Sequence, residues 1–326
     1  MSFNAARRFG AAALMAALGL VGVAHAAGDF PNKPIRLVIP FPAGGGTDTI
    51  GRIIGKGLQE AWGQNVIVDN VAGAGGQIGG SQVARAAPDG YTAMIGITSL
   101  IQQPPLYKNL PYDVFKDFQP VSIVAYSSDL VLVPSTSPFN SVDDIIKAAK
   151  ERPGALSAGS YGAGTSSHLH VELFKLNNDV DVIHVPYKGA APAMVDVMGG
   201  QLDVAFVDVT SAGPHLKSGK VKVLAVTGGS RVSIAPDAPT LKELGQPGYD
   251  ANGWFALLLP ANTPKPILDK YSQEVMRIVK SPEMTERLTA LSLRPGGTTP
   301  EEMQEAMVRD GKGWASIVER ANVKID

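Results

Sequence analysis

Strand-like and helix-like segments alternate along most of this chain, and this alternation limits the possible folds more than any other feature. The apolar run IRLVIP (35–40) is followed by three glycines and then by a segment, 47–62, whose apolar residues recur at a helical period. Strand-like runs at 65–70 and 91–98 enclose a short helical segment at 79–87. A series of this kind predicts a parallel sheet with helices on its faces.

A second series of the same kind begins near Ser141, which precedes two acidic residues and predicts a helix start. Beyond this α/β series the chain is predicted to be mostly helical. Thr263-Pro264, Ser281-Pro282 and Thr299-Pro300 each place a capping residue before a proline at the first helical position. With 326 residues, of which 44% are hydrophobic, the chain is long enough for two domains with substantial cores.

Each series contains a glycine-rich loop that opens a helix. The first loop is FPAGGGTD (41–48) and the second lies within SAGSYGAGTSSHLH (157–170). Helix N-termini carry free N–H groups and a partial positive charge, so two such loops facing one cleft would hold a small anion without Lys or Arg. No lysine follows the glycines as in a P-loop, and the G-x-G-x-x-G dinucleotide pattern is missing. The alternative is that either loop is only a turn.

The first residues are typical of an export signal. Arg7 and Arg8 precede an apolar run, Phe9 to Ala24, and Ala24-His25-Ala26 is a small-x-small cleavage site. We therefore expect residues 1–26 to be removed and the mature protein to lie in the periplasm. An N-terminal membrane anchor is the alternative, but the apolar run is shorter than the ~20 residues that span a bilayer.

Composition excludes several classes of function. The formal net charge is −1, which does not indicate a nucleic-acid partner. The sequence has no cysteine, so disulfides, thiolate nucleophiles and Cys-based metal sites are excluded. Neither a G-x-S-x-G elbow nor an H-E-x-x-H motif is present, and we predict neither a metal nor a cofactor. An exported hydrolase with Ser166 and His168 as nucleophile and base is the least favoured alternative.

Several stretches closely resemble the Bug family of extracytoplasmic solute-binding proteins, which serve tripartite tricarboxylate transporters. The resemblance is carried by PNKPIRLVIPFPAGGGTDTIGRIIG, NVAGAGGQIGGSQVARAAPDGYT, LYKNLPYDVFKDFQPVSIVA and VPYKGAAPAMVDVMGGQLDVAF. PHLKSGKVKVLAVTGGSR, APDAPTLKELG and NGWFALLLPANTPKPILDK fit as well. These stretches cover nearly the whole chain after the signal, in the family's order and spacing.

The resemblance implies a two-domain α/β periplasmic binding protein of the Venus-flytrap kind, type II-like, with two crossover strands as hinge. It places domain 1 at 27–127 plus 253–326 and domain 2 at 128–252. The domains would rotate about crossings near 126–131 and 251–256. It implies no catalysis.

The resemblance also implies a set of ligand-binding positions in the loops that face the cleft. In the first lobe these are Phe41, Ala43, Gly44, Gly45, Thr47, Asp48, Thr98, Ser99, Ile101 and Gln102. In the second they are Ser160, Tyr161, Gly164, Thr165, Ser166, His168, Tyr187, Lys188, Gly189, Ala190 and Asp208. Ile101 and Gln102 depart from the family's usual residues and would favour a partly apolar or aromatic acid.

Some of these residues have structural alternatives. We favour Asp48 as a helix cap, with a second role in ordering waters. His168 and His170 are two apart, so they point to different faces of a helix, and His168 is either a hydrogen-bond donor in the cleft or part of the helix surface. His184 is predicted to be a satisfied core residue, and Trp254 to pack at the hinge.

Two tyrosines and one lysine of the predicted set could also have no contact with ligand. Tyr161 and Tyr187 either line the site or only pack, and Lys188 either contacts ligand or is only solvated.

The sequence thus predicts a monomeric periplasmic receptor for a small carboxylate: a dicarboxylate, an amino acid or an aromatic acid. The receptor would deliver its ligand to the membrane subunits of a tripartite tricarboxylate transporter. A ligand-sensing module for a signalling partner would use the same cleft and stays open as an alternative.

Overall fold

The computed structural model describes residues 30–249, 253–323 and 325. The predicted signal segment 1–26 lies outside these residues, as do residues 251 and 252 of the second predicted crossing. The strands are β1 (Ile35–Ile39), β2 (Val66–Asn70), β3 (Thr92–Ile97), β4 (Phe118–Ser127), β5 (Asp129–Pro134), β6 (Ser157–Ser160), β7 (Ile183–Pro186), β8 (Val204–Asp208), β9 (Val221–Val226), β10 (Gly253–Pro260) and β11 (Arg294–Pro295).

The α-helices alternate with these strands and then dominate the C-terminal part. They are α1 (Gly46–Trp62), α2 (Gln77–Ala84), α3 (Ser99–Gln102), α4 (Val142–Glu151), α5 (Ser166–Asn178), α6 (Ala190–Met198), α7 (Val209–Leu216), α8 (Lys265–Val279), α9 (Pro282–Ala290) and α10 (Pro300–Arg320). None of the helices in the described ranges is both long enough and apolar enough to cross a membrane.

The strands form two sheets with matching order. The first sheet runs β11-β4-β10-β3-β1-β2 and the second runs β7-β6-β8-β5-β9. β1 pairs in parallel with β2 and β3, and β6 pairs in parallel with β7 and β8. An antiparallel strand then follows the third parallel strand in each sheet, β10 beside β3 and β5 beside β8. The predicted parallel α/β series is therefore present twice.

Each of these antiparallel strands has just crossed from the other sheet. β5 follows β4 of the first sheet with only Ser128 between them, and β10 is the next strand after β9 of the second sheet. Two crossing strands thus link two α/β units, as expected for the predicted fold class. We call the first sheet with its helices the first lobe and the second sheet with its helices the second lobe. The residue bounds of the two domains stay a prediction.

Both faces of the sheets are buried. In β1, Leu37 and Ile39 pack in one core cluster and Val38 packs in another; in β8, Phe206 and Val207 are divided in the same way. Successive strand residues point to opposite faces, so apolar residues in succession require helices on both sides.

Local signals define most helix ends. α1 ends at Gly63, whose φ of 66° lies in the left-handed region that glycine adopts freely. Ser141 and Thr299 are N-cap residues, as predicted, and they form capping boxes with Asp144 and Glu302. The prediction that Thr263 caps α8, with Pro264 as its first residue, is wrong. Its N-cap residue is Pro264, while the Thr263 hydroxyl donates to the carbonyl of Pro260.

Candidate functional site

A cavity lies between the lobes, where the parallel strands of both sheets end. The empty space is ≈ 650 Å³, including volume open to solvent. Ligands of open α/β sheets occupy this edge, beyond the carboxyl ends of the strands. The wall consists of Phe41, Pro42, Gly45, Gly46, Thr47, Ile97, Thr98, Ser127, Asp129, Tyr161, Ser166, His170, Gly189, Ala190, Ala191, Asp208, Thr227, Gly253, Trp254 and Phe255.

Three helices place a residue of their first turn in the wall of this cavity. The first turns of α1, α5 and α6 contribute Thr47, Ser166 and Ala190 to its wall. In the described part of the chain, no side chain at the N-cap of these three helices accepts a hydrogen bond from the first turn. The amides at the start of a helix lack partners within the helix and carry partial positive charge, so they can receive an anion.

The charged side chains of the wall are acidic. Asp129 and Asp208 line the cavity, and no Lys or Arg is among the described residues that line it. Burial raises the pKa of Asp208 to about 6; hydrogen bonds from Ser211 oppose this shift, and the charge of Asp129 adds to it. Asp208 is also the N-cap of α7, since its Oδ1 accepts from the Ser211 N–H at 2.9 Å.

Polar contacts join the lobes around the cavity. The Gly46 N–H donates to Ser211 Oγ at 2.9 Å, and the Gln102 amide donates to Ser166 Oγ at 2.9 Å. Gly189 also lies close to Pro42, because a Cβ built on Gly189 would be 3.1 Å from the Pro42 ring. Each contact pairs a group from one lobe with a group from the other, so the structure describes a closed conformation.

Nine of the predicted ligand-binding residues lie in the cavity wall. They are Phe41, Gly45, Thr47, Thr98, Tyr161, Ser166, Gly189, Ala190 and Asp208. They come from both lobes and from both glycine-rich loops. The structure therefore brings together the two loops whose similarity the sequence shows.

The other twelve predicted residues lie outside the wall, so this placement gives no support to direct ligand contact. They are Ala43, Gly44, Asp48, Ser99, Ile101, Gln102, Ser160, Gly164, Thr165, His168, Tyr187 and Lys188. Ile101 is buried in the core, Gln102 bonds Ser166, the Tyr187 hydroxyl donates to Asp196 and Lys188 is exposed. Contact of Ile101 with an aromatic ligand therefore has no basis in this conformation.

Asp48 has a different role from the predicted helix cap. The N-cap residue of α1 is Gly45, and Asp48 sits in the first turn. Its carboxylate accepts from the Gly44 N–H at 3.0 Å, from Arg52 Nε at 3.0 Å and from Asn70 Nδ2 at 3.1 Å. These bonds lower the pKa of Asp48 although its burial acts the other way. Asp48 therefore holds the glycine-rich loop on the helix.

The three histidines around α5 have different surroundings, and His168 fits neither of its two predicted alternatives. His170 lines the cavity, and its Nδ1 lies 2.9 Å from Asp129 Oδ2. His168 is buried, its Nδ1 accepts from the Gly164 N–H, and its ring stacks on His184 with centroids 4.0 Å apart. It is thus neither a cleft residue nor helix surface. His184 is half-buried and bonds Ser160 Oγ at 2.7 Å.

His168 and His184 also form, with Glu172, a group whose possible ligand atoms lie within 4.8 Å of one another. The two rings are parallel to within 11°, so their in-plane lone pairs cannot converge on one ion. His168 Nδ1 is already an acceptor, which puts the proton of the neutral ring on the nitrogen that faces Glu172. Burial lowers the pKa of His168 to about 4 and that of His184 to about 3. The group is better described as a neutral histidine stack than as a metal site.

Sequence reasoning missed part of the wall. The missed residues are Pro42, Gly46, Ile97, Ser127, Asp129, His170, Ala191, Thr227, Gly253, Trp254 and Phe255. Five of them lie at the chain crossings, at 127–129 and 253–255, which the sequence marks only as a hinge. Trp254 lines the cavity, and its backbone N–H donates to the Thr98 hydroxyl. The predicted crossings therefore indicate part of the wall, because several residues where the chain passes between the lobes lie beside the cavity.

Known proteins that are similar to this chain have the same architecture. The family model described as "Tripartite tricarboxylate transporter family receptor" (TctC) matches residues 50–323. Protein BugT of Bordetella pertussis (strain Tohama I) is 33% identical over 323 residues, covering 96% of this chain and 98% of BugT. Two solved structures of R. palustris proteins are also similar. Rpa4515 with adipate is 33% identical, with a TM-score of 0.88, and the match covers 91% of this chain and 100% of Rpa4515. MatC with bound malate is 30% identical, with a TM-score of 0.84, and the match covers 89% of this chain and 100% of MatC.

These relatives are similar in sequence over nearly the whole chain, the two solved ones also share its fold, and the family is one of receptors rather than enzymes. Ser166 fits that conclusion, because its hydroxyl is paired with Gln102 rather than with a histidine. The chain belongs to the tripartite tricarboxylate transporter receptor family, which includes the Bug proteins.

Proposed function

We propose that this protein is a periplasmic receptor that captures a small carboxylate between its lobes. The observation that carries the proposal is the convergence of α1, α5 and α6, whose N-cap residues make no side-chain cap bond, on a cavity without a Lys or Arg among its described wall residues. Amides at helix N-termini stabilise a carboxylate without a cationic side chain. Two solved relatives are described with adipate and malate.

Closure of the lobes is the second part of the proposal. Helix N-termini of both lobes border the cavity, so a bound carboxylate would bridge them and favour the closed form. The hinge would lie at the crossings near 126–131 and 251–256, between domain 1 (27–127 plus 253–326) and domain 2 (128–252). The closed, loaded form would act as a monomer and present the ligand to the membrane subunits of a tripartite transporter.

A thermal-shift screen of acids tests the carboxylate reading. Adipate, malate, benzoate, glutamate and other small acids are compared with their neutral amides at millimolar concentration. A ligand at 100 times its Kd stabilises the folded protein by about 2.7 kcal/mol, which raises the Tm by several degrees. We expect such a shift for at least one acid and none for its amide. Equal shifts for acid and amide, or none across the screen, would refute carboxylate capture.

A further inference from the structure

A buried histidine–aspartate pair in the cavity wall has no part in holding the carboxylate as proposed above. His170 Nδ1 lies 2.9 Å from Asp129 Oδ2, and the exposed fractions of the two side chains are 2% and 5%. The Tyr161 hydroxyl donates to the same Asp129 oxygen at 3.4 Å. Asp129 begins β5 directly after the first crossing, and its N–H bonds the Thr227 hydroxyl at 2.8 Å. The pair is therefore fixed in position.

Two nitrogens of the wall residues have no hydrogen-bond partner in the described chain. They are His170 Nε2 and Trp254 Nε1, both buried. Buried polar atoms in folded proteins are nearly always paired, so these two nitrogens are available to a ligand or water that reaches them. The Trp254 indole can only donate, whereas neutral His170 with Nδ1–H facing Asp129 can accept at Nε2. The wall thus offers polar groups that the protein itself leaves unused.

The charge of the wall limits what those groups can receive. Asp129 and Asp208 are the acidic side chains there, and within the described residues no Lys or Arg offsets them. Protonated His170 would only neutralise Asp129, so the side chains of the wall never sum to a positive charge. The helix N-termini would stabilise one carboxylate of a ligand, but a second carboxylate on the same ligand would be repelled by the acidic side chains.

We infer that the Asp129–His170 pair receives a hydrogen-bond donor at the far end of the ligand, a hydroxyl or an ammonium group. The receptor then selects hydroxy- or amino-monocarboxylates over dicarboxylates of the same length. This inference rests on the proposed carboxylate capture and narrows its ligand class. Malate, seen with the relative MatC, carries both kinds of group and does not separate the two possibilities.

Two series of acids of equal length test the selection by isothermal titration calorimetry. The four-carbon series is succinate, 4-hydroxybutyrate, 4-aminobutyrate and butyrate; the six-carbon series is adipate, 6-hydroxyhexanoate, 6-aminohexanoate and hexanoate. In the series that fits, we expect the hydroxy- or amino-acid to bind at least 10-fold more tightly than the diacid. A diacid that binds as tightly refutes the selection while leaving carboxylate capture intact. Binding by none of the eight overturns the selection, while carboxylate capture is decided by the wider thermal-shift screen.

Matched variants assign the selection to this pair. Asp129→Asn keeps the size of the side chain and removes its charge, and should lower the preference for the donor-bearing acid over the diacid by at least 10-fold. Asp203→Asn is the control, because Asp203 bonds Ser157 and lies outside the wall; its preference should be unchanged. His170→Gln serves as the second variant if Asp129→Asn does not fold. A merely structural pair would weaken all acids equally, and an unchanged preference in the variant would overturn the inference.

Discussion

Gly46 is the position where one added methyl group should prevent the lobes from closing. It is the first residue of α1 in the first lobe, and a Cβ built on it would lie under 3.0 Å from Asp208 Oδ1 and 3.2 Å from Asp208 Cγ in the second lobe. Real Cβ atoms essentially never approach so closely. The Gly46→Ala variant therefore cannot adopt the closed form as described unless Asp208 or the lobes move.

Either movement has a definable cost. If Asp208 turns away, α7 loses its N-cap bond to the Ser211 N–H, and loss of such a cap costs ~0.5–2 kcal/mol. If the lobes stay apart, the hydrogen bond from the Gly46 N–H to Ser211 Oγ is lost, which costs ~0.5–1.5 kcal/mol. Because the protein takes the cheaper movement, the closed form is destabilised by ~0.5–1.5 kcal/mol relative to the open one. A difference of about 1.4 kcal/mol corresponds to a tenfold change in affinity, so the apparent Kd should rise roughly 2- to 13-fold.

Calorimetry with the acid that gives the largest thermal shift measures this loss. The unfolding free energy of the ligand-free variant should be unchanged or slightly higher, because Gly46 does not have a positive φ and alanine favours helices. Gly313→Ala is the control. It also replaces a helical glycine, in α10, but a Cβ there meets nothing within 4 Å, so its Kd should equal that of the unmodified protein.

A double-mutant cycle can refute the reasoning. Asp208→Ser keeps a residue suited to capping α7 but shortens the side chain that meets the new methyl group. Gly46→Ala should then cost much less in the Asp208→Ser background than alone. If the loss of affinity is the same in both backgrounds, the contact with Asp208 is not its cause. The local contact of the new Cβ with Phe255 Cζ, at 3.3 Å, would then be the better explanation.

Three further outcomes are expected. The pKa of Asp208 is about 6 in the folded protein and 3.8 in the unfolded chain, so its contribution to the unfolding free energy is full below pH ~3.8 and is lost as pH rises through 6, by up to ~3 kcal/mol. In urea unfolding between pH 4 and 7, Asp208→Asn should therefore show a flatter dependence of the unfolding free energy on pH. An equally steep dependence in the variant would contradict this. Ser166→Ala leaves the Gln102 amide without its partner in the closed form and should weaken binding about 10-fold in calorimetry; equal affinity would show that this contact does not matter. Thr299→Ala removes the cap of α10 at the Glu302 N–H and should lower the unfolding free energy by ~1 kcal/mol with no change in Kd, and a changed Kd would contradict this separation.

Elements with local signals could be predicted from the sequence. α1 has an apolar helical period and a glycine stop, and the starts of α4 and α10 have capping residues, so neighbouring residues alone determine them. The pairing of β5 and β10 could not be predicted in this way. Each crosses to the other sheet and pairs with strands far away in sequence, and no local pattern encodes those partners.

The candidate site shows the same division. The glycine-rich loops were found because their composition is local. Which histidine faces the cavity depends on how α5 is rotated against the second sheet. Spacing shows that His168 and His170 diverge, but only the tertiary structure shows that His170 meets Asp129. Asp48 likewise depends on Asn70, which lies on the next strand.

The position of Asp208 connects ligand selection with closure. Its carboxyl group lies beside Gly46 at the start of α1, so part of the positive field of that helix already faces an acidic group of the protein. A ligand carboxylate that bridges the two lobes would then take more of its stabilisation from the starts of α5 and α6 in the second lobe than from the start of α1. Its far end would point toward the crossing strands, where Asp129 and Trp254 lie. A ligand oriented like this would contact both lobes by its negative end and the crossings by its donor, and this would favour the closed form over the open one.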